Sequence, residues 1–336
     1  MPNNSNLRTA QKAKQDEFYT QLTDIEAELK YYKEHFKGKT VLCNCDDPRV
    51  SNFFRYFAMR FHHLGLKRLI ATCYKNQEVD LFSLNNSEKA VYIIYDGEKD
   101  GNAPDLSKIE VNELKGDGDF RSEECIQLLK QADIVCTNPP FSLFREYVAQ
   151  LIRYNKEFLI IGNINAISYK EIFPLILNNE VWLGASIHSG DREFGVPDSY
   201  PLEAAGYRID ENGKKYIRIK GVRWFTNMDY LERHEPLELY KKYTPALYPK
   251  YINFDAINVD KTEYIPYDYK GMIGVPITFM DKYNPDQFEI IGRSLDLADM
   301  SIIKKRLGKQ NGGPRFYLEV DGKLERLYER LVIRRR

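Results

Sequence analysis

The sequence predicts an α/β fold: an open, largely parallel sheet followed by a region of α+β character. Three features carry that expectation. Short apolar runs recur along the first half of the 336-residue chain, helix-patterned stretches separate them, and the alternation stops after about residue 185. Strands alternating with helices read as parallel β/α units. In such a sheet, ligands gather at the carboxyl ends of the strands. The chemistry should therefore lie just after each apolar run.

Residues 1–15 are polar and are expected to be disordered. From Thr23 to Phe36, helical spacing puts Ile25, Leu29 and Tyr32 on one face. The run Thr40–Asn44 is the first expected strand, followed by a helical segment Ser51–His62. Arg68–Cys73 is the second and Ile109–Leu114, more weakly, the third. Asp133–Cys136 is the fourth, after the helical Glu123–Gln131. Phe158–Gly162 is the fifth, after Leu143–Arg153. Val91–Tyr95 and Ile109–Leu114 flank a turn-rich stretch that reads as an inserted hairpin or loop.

Beyond residue 185, Tyr207–Asp210 and Tyr216–Lys220 form a hairpin pattern across Asn212-Gly213, a dipeptide suited to tight hairpin turns. Pro and Tyr are dense from Pro236 to Tyr269. A strand is expected over Met272–Phe279 and a short helix from Asn284-Pro285. A last hairpin pairs Phe316–Glu319 with Leu327–Ile333 across Asp321-Gly322.

Hydrophobic residues make up 43% of the chain, enough for a sizeable core. Its 49 basic and 49 acidic residues cancel, which argues against a protein that coats phosphate non-specifically. Residues 301–336 nevertheless hold eleven Lys and Arg against four Asp and Glu, a basic tail. No apolar run reaches the roughly 18 residues of a membrane span. The odd cysteine count (Cys43, Cys45, Cys73, Cys125, Cys136) and the lack of a signal peptide point to the reducing cytoplasm. Cys43 and Cys45 have no second pair at zinc spacing, so buried thiols are expected rather than a metal site. His62, His63 and His188 also lack ligand partners at metal spacing.

Thr137-Asn138-Pro139-Pro140-Phe141 follows the fourth strand, and its residue types suit one reaction. The exocyclic amine of adenine is a poor nucleophile because its lone pair is delocalised into the ring. Two acceptors aimed at its hydrogens draw the nitrogen towards sp³ geometry. The side-chain oxygen of Asn138 is one and the carbonyl of Pro139 is the other. Pro139 and Pro140 stiffen the loop and bring no N–H groups of their own. Phe141 offers a face for a stacked base, which must leave the duplex to reach it. Catalysis then consists of holding donor and amine in line. Neither a metal nor a general base of unusual pKa is required.

DEFYTQ (Asp16–Gln21), CNCDDPRVSNFF (Cys43–Phe54), GDGDFRS (Gly116–Ser122), TNPPFSLFREY (Thr137–Tyr147) and VPITFMDKYNPDQFE (Val275–Glu289) together resemble the EcoRI-type adenine-specific DNA methyltransferases. Their order is similar to the gamma arrangement, with cofactor motifs ahead of the catalytic one. The resemblance implies a Rossmann-like class I methyltransferase sheet followed by an α+β target-recognition region. It implies S-adenosylmethionine as methyl donor and no metal. It places Asp16, Phe18, Tyr19 and Thr20 at the methionine end of the donor, with Asp47-Pro48 in the loop after strand one. Asp119-Phe120 holds the donor's adenine, with Asp117 as the alternative carboxylate, and Asn138 faces donor and base alike. Two departures stand out. Arg49-Val50-Ser51-Asn52 replaces the usual Gly-x-Gly after strand one, and Ala71-Thr72-Cys73-Tyr74 has no carboxylate for the ribose hydroxyls.

The expected organisation is a catalytic domain over 16–184, a target-recognition region over 185–275 and a C-terminal segment over 276–336 with its basic tail. Lys214, Lys215, Arg218, Lys220 and Arg223 are candidates for contacting DNA; a strand edge protected by lysines is the alternative reading. The expected partner is double-stranded DNA, met by a monomer in the cytoplasm, with a cognate restriction endonuclease as a further candidate partner. Two rival functions remain open: methylation of an RNA amine or a protein glutamine through the same Asn-Pro-Pro-Phe loop, and DNA binding without catalysis.

Overall fold

A computed structural model describes residues 20–45, 47–74, 89–188, 190–196, 207–308 and 313–336. The expected disordered segment 1–15, and Asp16, Phe18 and Tyr19 of the donor motif, lie outside the described residues. The chain divides into two units, residues 1–166 with 183–229 and residues 167–182 with 230–336.

The first unit is built on four parallel strands: β1 (Thr40–Asn44), β2 (Arg68–Cys73), and, further along the chain, β5 (Ile134–Thr137) and β6 (Glu157–Asn163). Apart from half-buried Arg68 and Glu157 at their starts, every residue of these strands is buried. Strands covered on both faces read as continuous apolar runs rather than alternating ones, which is why the sequence marks them. Between β2 and β5 come β3 (Val91–Tyr95) and β4 (Asn112–Glu113). β3 pairs antiparallel with β2, and β4 antiparallel with β3. The third parallel unit expected near Ile109–Leu114 is thus corrected to a two-residue edge strand. Residues 96–111 contain only a 3-10 turn, Leu106–Lys108, so no crossover helix reverses the chain.

The helices fall close to their expected places. α1 (Leu22–Leu29) runs into a 3-10 segment Lys30–Phe36, and Ile25, Leu29, Tyr32 and Phe36 are all buried. The helical stretch after β1 is broken at Arg60 into α2 (Asn52–Met59) and α3 (Phe61–Leu64). Ser51 caps α2 by accepting from Phe54 N at 3.4 Å, and Ser122 caps α4 (Glu123–Gln131) by accepting from Cys125 N at 3.3 Å. α5 (Phe144–Arg153) lies between β5 and β6 in the chain.

After β7 (Trp182–Leu183), inside which the two units divide, a small sheet follows. It comprises β8 (Asp191–Val196), β9 (Tyr207–Ile209) and β10 (Lys215–Lys220), ordered β8-β10-β9 and antiparallel throughout. The expected hairpin turn is present: the Asp210 carboxylate accepts from Asn212 N and Lys214 N, both at 2.9 Å, and Gly213 has φ of 79°. Directly after β10 the chain returns to the large sheet as β11 (Val222–Thr226), antiparallel to β6 and wholly buried. The order of the large sheet is β4-β3-β2-β1-β5-β6-β11-β7. The alternation of strand and helix does stop near residue 185, but the sheet does not end there.

The second unit holds α6 (Phe173–Leu177) and a four-stranded sheet. Its strands are β12 (Ile257–Asn258), β13 (Ile273–Pro276), β14 (Phe288–Arg293) and β17 (Arg330–Arg335), in the order β12-β13-β17-β14. The short helices α7 (Ser294–Leu297) and α8 (Met300–Leu307) follow β14. The hairpin of β15 (Tyr317–Val320) and β16 (Lys323–Arg326) turns at Asp321-Gly322, both at positive φ. The expected turn is correct but its expected second strand is not. Beyond Leu327, whose N donates to the Phe316 carbonyl at 3.0 Å, the segment does not pair back; Leu331, Val332 and Ile333 form the fully buried centre of β17, between β13 and β14. The end of the basic tail, Arg330–Arg335, is therefore an interior strand whose arginines flank an apolar triplet. No helix begins at Asn284-Pro285 either. The Asn284 side chain accepts from Asp286 N at 2.8 Å and holds a turn into β14.

Candidate active site

The carboxyl ends of β1 and β5 lie side by side, in a register that pairs Val41 with Ile134 and Leu42 with Val135. This junction carries the Asn-Pro-Pro-Phe loop. The Thr137 hydroxyl donates to the main-chain carbonyl of Asn44 and so ties the last residue of β5 to the last residue of β1. Asn138 is next, 6% exposed. Pro139 is buried, while Pro140 and Phe141 are half-buried at the mouth of the loop. The Pro140 carbonyl accepts from Leu143 N at 3.0 Å and turns the chain into α5.

The loop after β1 is organised by Asp47, whose side chain is 0% exposed. Its carboxylate accepts from Arg49 Nε at 2.9 and 3.1 Å and from Arg49 N at 2.9 Å, and its carbonyl accepts from Ser51 N at 2.8 Å. A charge-assisted fork of this kind holds the Asp47-Pro48 turn without glycines. Cys45, just before it, has φ of 83°, a left-handed conformation that costs a non-glycine residue about 1 kcal/mol or more. Asn52 Nδ2 donates to the Thr20 carbonyl at 2.8 Å, which joins the end of the DEFYT motif to this loop.

The GDGDFRS segment closes over the end of β2. Gly118 has φ of 78°, and a Cβ there would stand 2.3 Å from the Cys73 carbonyl, so only glycine fits. Phe120 is buried, edge-on to Tyr147 with ring centroids 5.0 Å apart. The two carboxylates differ. Asp119 accepts from Arg121 Nε at 2.9 Å and Nη2 at 2.6 Å, and that fork holds its carboxyl below the usual range. Asp117 is exposed and accepts only a local bond from Asp119 N at 3.0 Å among those described.

These strand ends hold Thr20, Asp47, Pro48, Phe120 and the Asn138–Phe141 loop in one unit, as a methyl-donor site requires. One observation tests whether the residues suit a polar donor. Thr20 is 2% exposed, and its buried hydroxyl has no hydrogen-bond partner among the described residues. A hydroxyl in that state is suited to a ligand that completes it.

The basic cluster divides. On β10, Ile217 and Ile219 are buried while Arg218 and Lys220 are exposed on the opposite face; Lys214 is exposed at the turn and Lys215 half-buried. Arg218 stands across from Glu193 of β8. Arg223 requires correction. It lies in β11, 4% exposed, and its guanidinium donates to the carbonyls of Val222 at 2.8 Å and His188 at 2.9 Å. Enclosed in the large sheet, it cannot read base edges. Sequence reasoning missed Arg208 on β9, which lies 4.5 Å from the Tyr216 ring and pairs with Glu193 at 2.6 Å. The alternation of Tyr207, Arg208 and Ile209 was the available signal. It also missed Asn44, Arg49, Arg121 and Tyr147, which hold other residues in place. Cys43, Cys73, Cys125 and Cys136 are buried, Cys45 is half-buried, and none of the five is in a disulfide. Among the described residues no group of His, Cys, Asp or Glu could hold a metal ion, and no helix is long and apolar enough to cross a membrane.

Residues 6–336 match the family described as adenine-specific methyltransferase EcoRI. The chain is 52% identical over 303 residues to the Type II methyltransferase M.EcoRI of Escherichia coli, covering 89% of this chain and 93% of that one. It is 40% identical over 286 residues to the Type II methyltransferase M.MgeORF184P of Mycoplasma genitalium, covering 84% of each. To the Type II methyltransferase M.MpnI of Mycoplasma pneumoniae it is 39% identical over 287 residues, covering 84% of this chain and 83% of that one.

Proposed function

We propose the following mechanism from one premise: this chain belongs to the EcoRI family of adenine-specific methyltransferases. It is a DNA adenine methyltransferase of the restriction-modification type. Its methyl donor is S-adenosylmethionine and its target is the N6 amine of an adenine turned out of double-stranded DNA. The observation that carries this reading is the placement of Asn138, buried beside the joined ends of β1 and β5.

The donor, when bound, supplies a methyl group on a sulfonium, which needs only a lone pair in line with it. The rest falls to residues of this chain. Asn138 Oδ1 and the Pro139 carbonyl accept the two hydrogens of the amine and localise its lone pair. The amine gains positive charge as it reacts, so both acceptors bind it more strongly in the transition state than in the ground state. Phe141 stacks on the extruded base and offsets part of the lost base stacking. Thr20, Asp47 and Pro48 bound the methionine end, and Phe120 lies against the donor's adenine. A carboxylate of Asp119 or Asp117 accepts from that adenine's amine. Arg121 already occupies Asp119, so the exposed Asp117 is the less hindered of the two.

The exposed basic residues of the β8–β10 sheet contact the DNA. The enzyme acts as a monomer in the cytoplasm, where cysteines outside disulfides stay reduced, and protects sites that a cognate endonuclease cuts. The rival substrates, an RNA amine or a protein glutamine, give way to a family match that spans nearly the whole chain. Sequencing DNA from an expressing host with modified-base detection tests the reading. N6-methyladenine at one recurrent sequence is expected; unmodified adenine throughout, with folded protein present, would overturn it.

A further inference from the structure

We propose that Tyr147 is a positioning residue for methyl transfer, fixing the catalytic loop and the donor's aromatic support relative to each other through Asn44 and Phe120. The inference rests on the reading of Asn138 and Phe120 given above.

Tyr147 is 1% exposed, on the first turns of α5 immediately after the Asn-Pro-Pro-Phe loop. Its hydroxyl donates to Asn44 Oδ1, and the Asn44 carbonyl accepts the hydroxyl of Thr137. One asparagine thus takes a bond from each side of the loop, from the residue just before Asn138 and from the helix just after Phe141. Meanwhile the Tyr147 ring meets Phe120 edge-on at 5.0 Å, and Gln150, one helical step further, donates to the Phe120 carbonyl at 3.0 Å. The same helical face therefore carries the loop that holds the target amine and the segment that lies against the donor. Burial raises the pKa of the Tyr147 phenol well above its ordinary value, so it stays protonated and remains a hydrogen-bond donor. The strand end it braces is the one that leads into the left-handed Cys45, a conformation that persists only where surrounding contacts over-determine it. In-line transfer is sensitive to small displacements of the two reactants, and a buried brace between their supports meets that need.

The test separates positioning from folding. Tyr147→Phe keeps the ring and removes the hydroxyl. It should melt within a few degrees of the parent and bind S-adenosylhomocysteine within about twofold, yet lose about tenfold in single-turnover rate, the kinetic equivalent of one neutral hydrogen bond. Asn44→Ala should show the same split. The double variant should lose no more than the larger of the two single losses, since the Tyr147–Asn44 bond is common to both. A Tyr147→Phe enzyme with parental turnover overturns the proposal, as do losses that multiply in the double variant. If Tyr147→Phe does not fold, Asn44→Ala decides by the same split. Asn138→Ala measured alongside distinguishes the two levels. An inactive Asn138→Ala beside a fully active Tyr147→Phe removes only the positioning role, whereas an active Asn138→Ala removes the underlying reading.

Discussion

Thr137 donates its hydroxyl hydrogen to the main-chain carbonyl of Asn44, ninety-three residues earlier in the chain. The bond crosses from β5 to β1 at the point where both strands end, so the loop that starts at Asn138 begins from a fixed origin. Thr137→Val keeps the shape and leaves that buried carbonyl short of a donor. A loss of about 1–3 kcal/mol in unfolding free energy is expected, with turnover falling further than donor affinity. Denaturant titration and calorimetry measure the two. Unchanged stability would mean that the carbonyl finds another donor.

Asn138→Ala removes one acceptor from the target amine. Turnover should fall by about 10²–10³ or more, while binding of S-adenosylhomocysteine stays nearly intact. The paired measurement is decisive, because near-parental turnover is incompatible with the amine being held by Asn138.

Asp119 and Asp117 make different predictions. If Asp119 holds the donor's adenine despite its Arg121 fork, Asp119→Ala weakens donor binding by about 1–3 kcal/mol and Asp117→Ala does little. If the exposed Asp117 does so, the pattern reverses. Calorimetry with each variant assigns the role, and two unaffected affinities would remove it from this segment.

Glu28 accepts from Ala185 N at 2.8 Å and Ser186 N at 2.6 Å, and from the Tyr32 hydroxyl at 3.0 Å, with no cation paired to it among the described residues. Desolvation raises its pKa despite those bonds. A carboxyl whose folded pKa lies above its unfolded value contributes stability that is fully present below the unfolded value. That contribution is lost as pH rises through the folded one. The chain should therefore shed stability upward from the ordinary glutamate range. Glu28→Gln should remove that slope, while costing about 1–3 kcal/mol because its amide opposes a backbone N–H. Denaturant curves at several pH values test both; an identical slope in the variant would assign it to other groups.

Arg218 and Arg223 should now behave differently. Arg218→Ala is expected to cost about 1–3 kcal/mol on the cognate site and to relax preference at one base pair, and Lys215→Ala to reduce the salt slope by about one. Arg223→Ala should lower stability and leave site preference alone, since its buried guanidinium serves the carbonyls of Val222 and His188. A change of preference in a folded Arg223→Ala enzyme would contradict its burial.

The legible parts of the sequence were those where physics acts locally. β1, β2, β5 and β6 are covered on both faces and show as unbroken apolar runs. The Asn212-Gly213 and Asp321-Gly322 turns carry their own backbone requirement. β11 was hidden because Arg223 interrupts its apolar run, and the buried guanidinium is met by the carbonyl of its neighbour Val222 and by that of His188, thirty-five residues earlier. β17 was hidden in the opposite way: Arg330 and Arg334–Arg336 made the buried triplet Leu331–Ile333 look like part of a solvated tail. The antiparallel direction of β3 has no signature in its own five residues. The Asn-Pro-Pro-Phe loop announced itself. Its support from Asn44 and Tyr147 did not, because residues far apart in sequence and joined by single hydrogen bonds leave no periodicity to read.

β7 and β11 are neighbours in the large sheet, and Gly184 N donates to the Trp224 carbonyl at 2.9 Å. The excursion that contains β8, β9 and β10 therefore leaves and re-enters the scaffold at adjacent points. Such a segment behaves as a cassette. Asn163 Nδ2 donates to the Lys220 carbonyl at 2.8 Å, Ile164 N to the Gly221 carbonyl at 2.7 Å and Arg223 to the His188 carbonyl at 2.9 Å, so an exchange of residues 187–221 keeps the scaffold intact where those main-chain carbonyls stay in place. A crossover at residue 184 that replaced everything downstream would instead carry β11 away from β6 and split both units, because neither is one continuous stretch of gene.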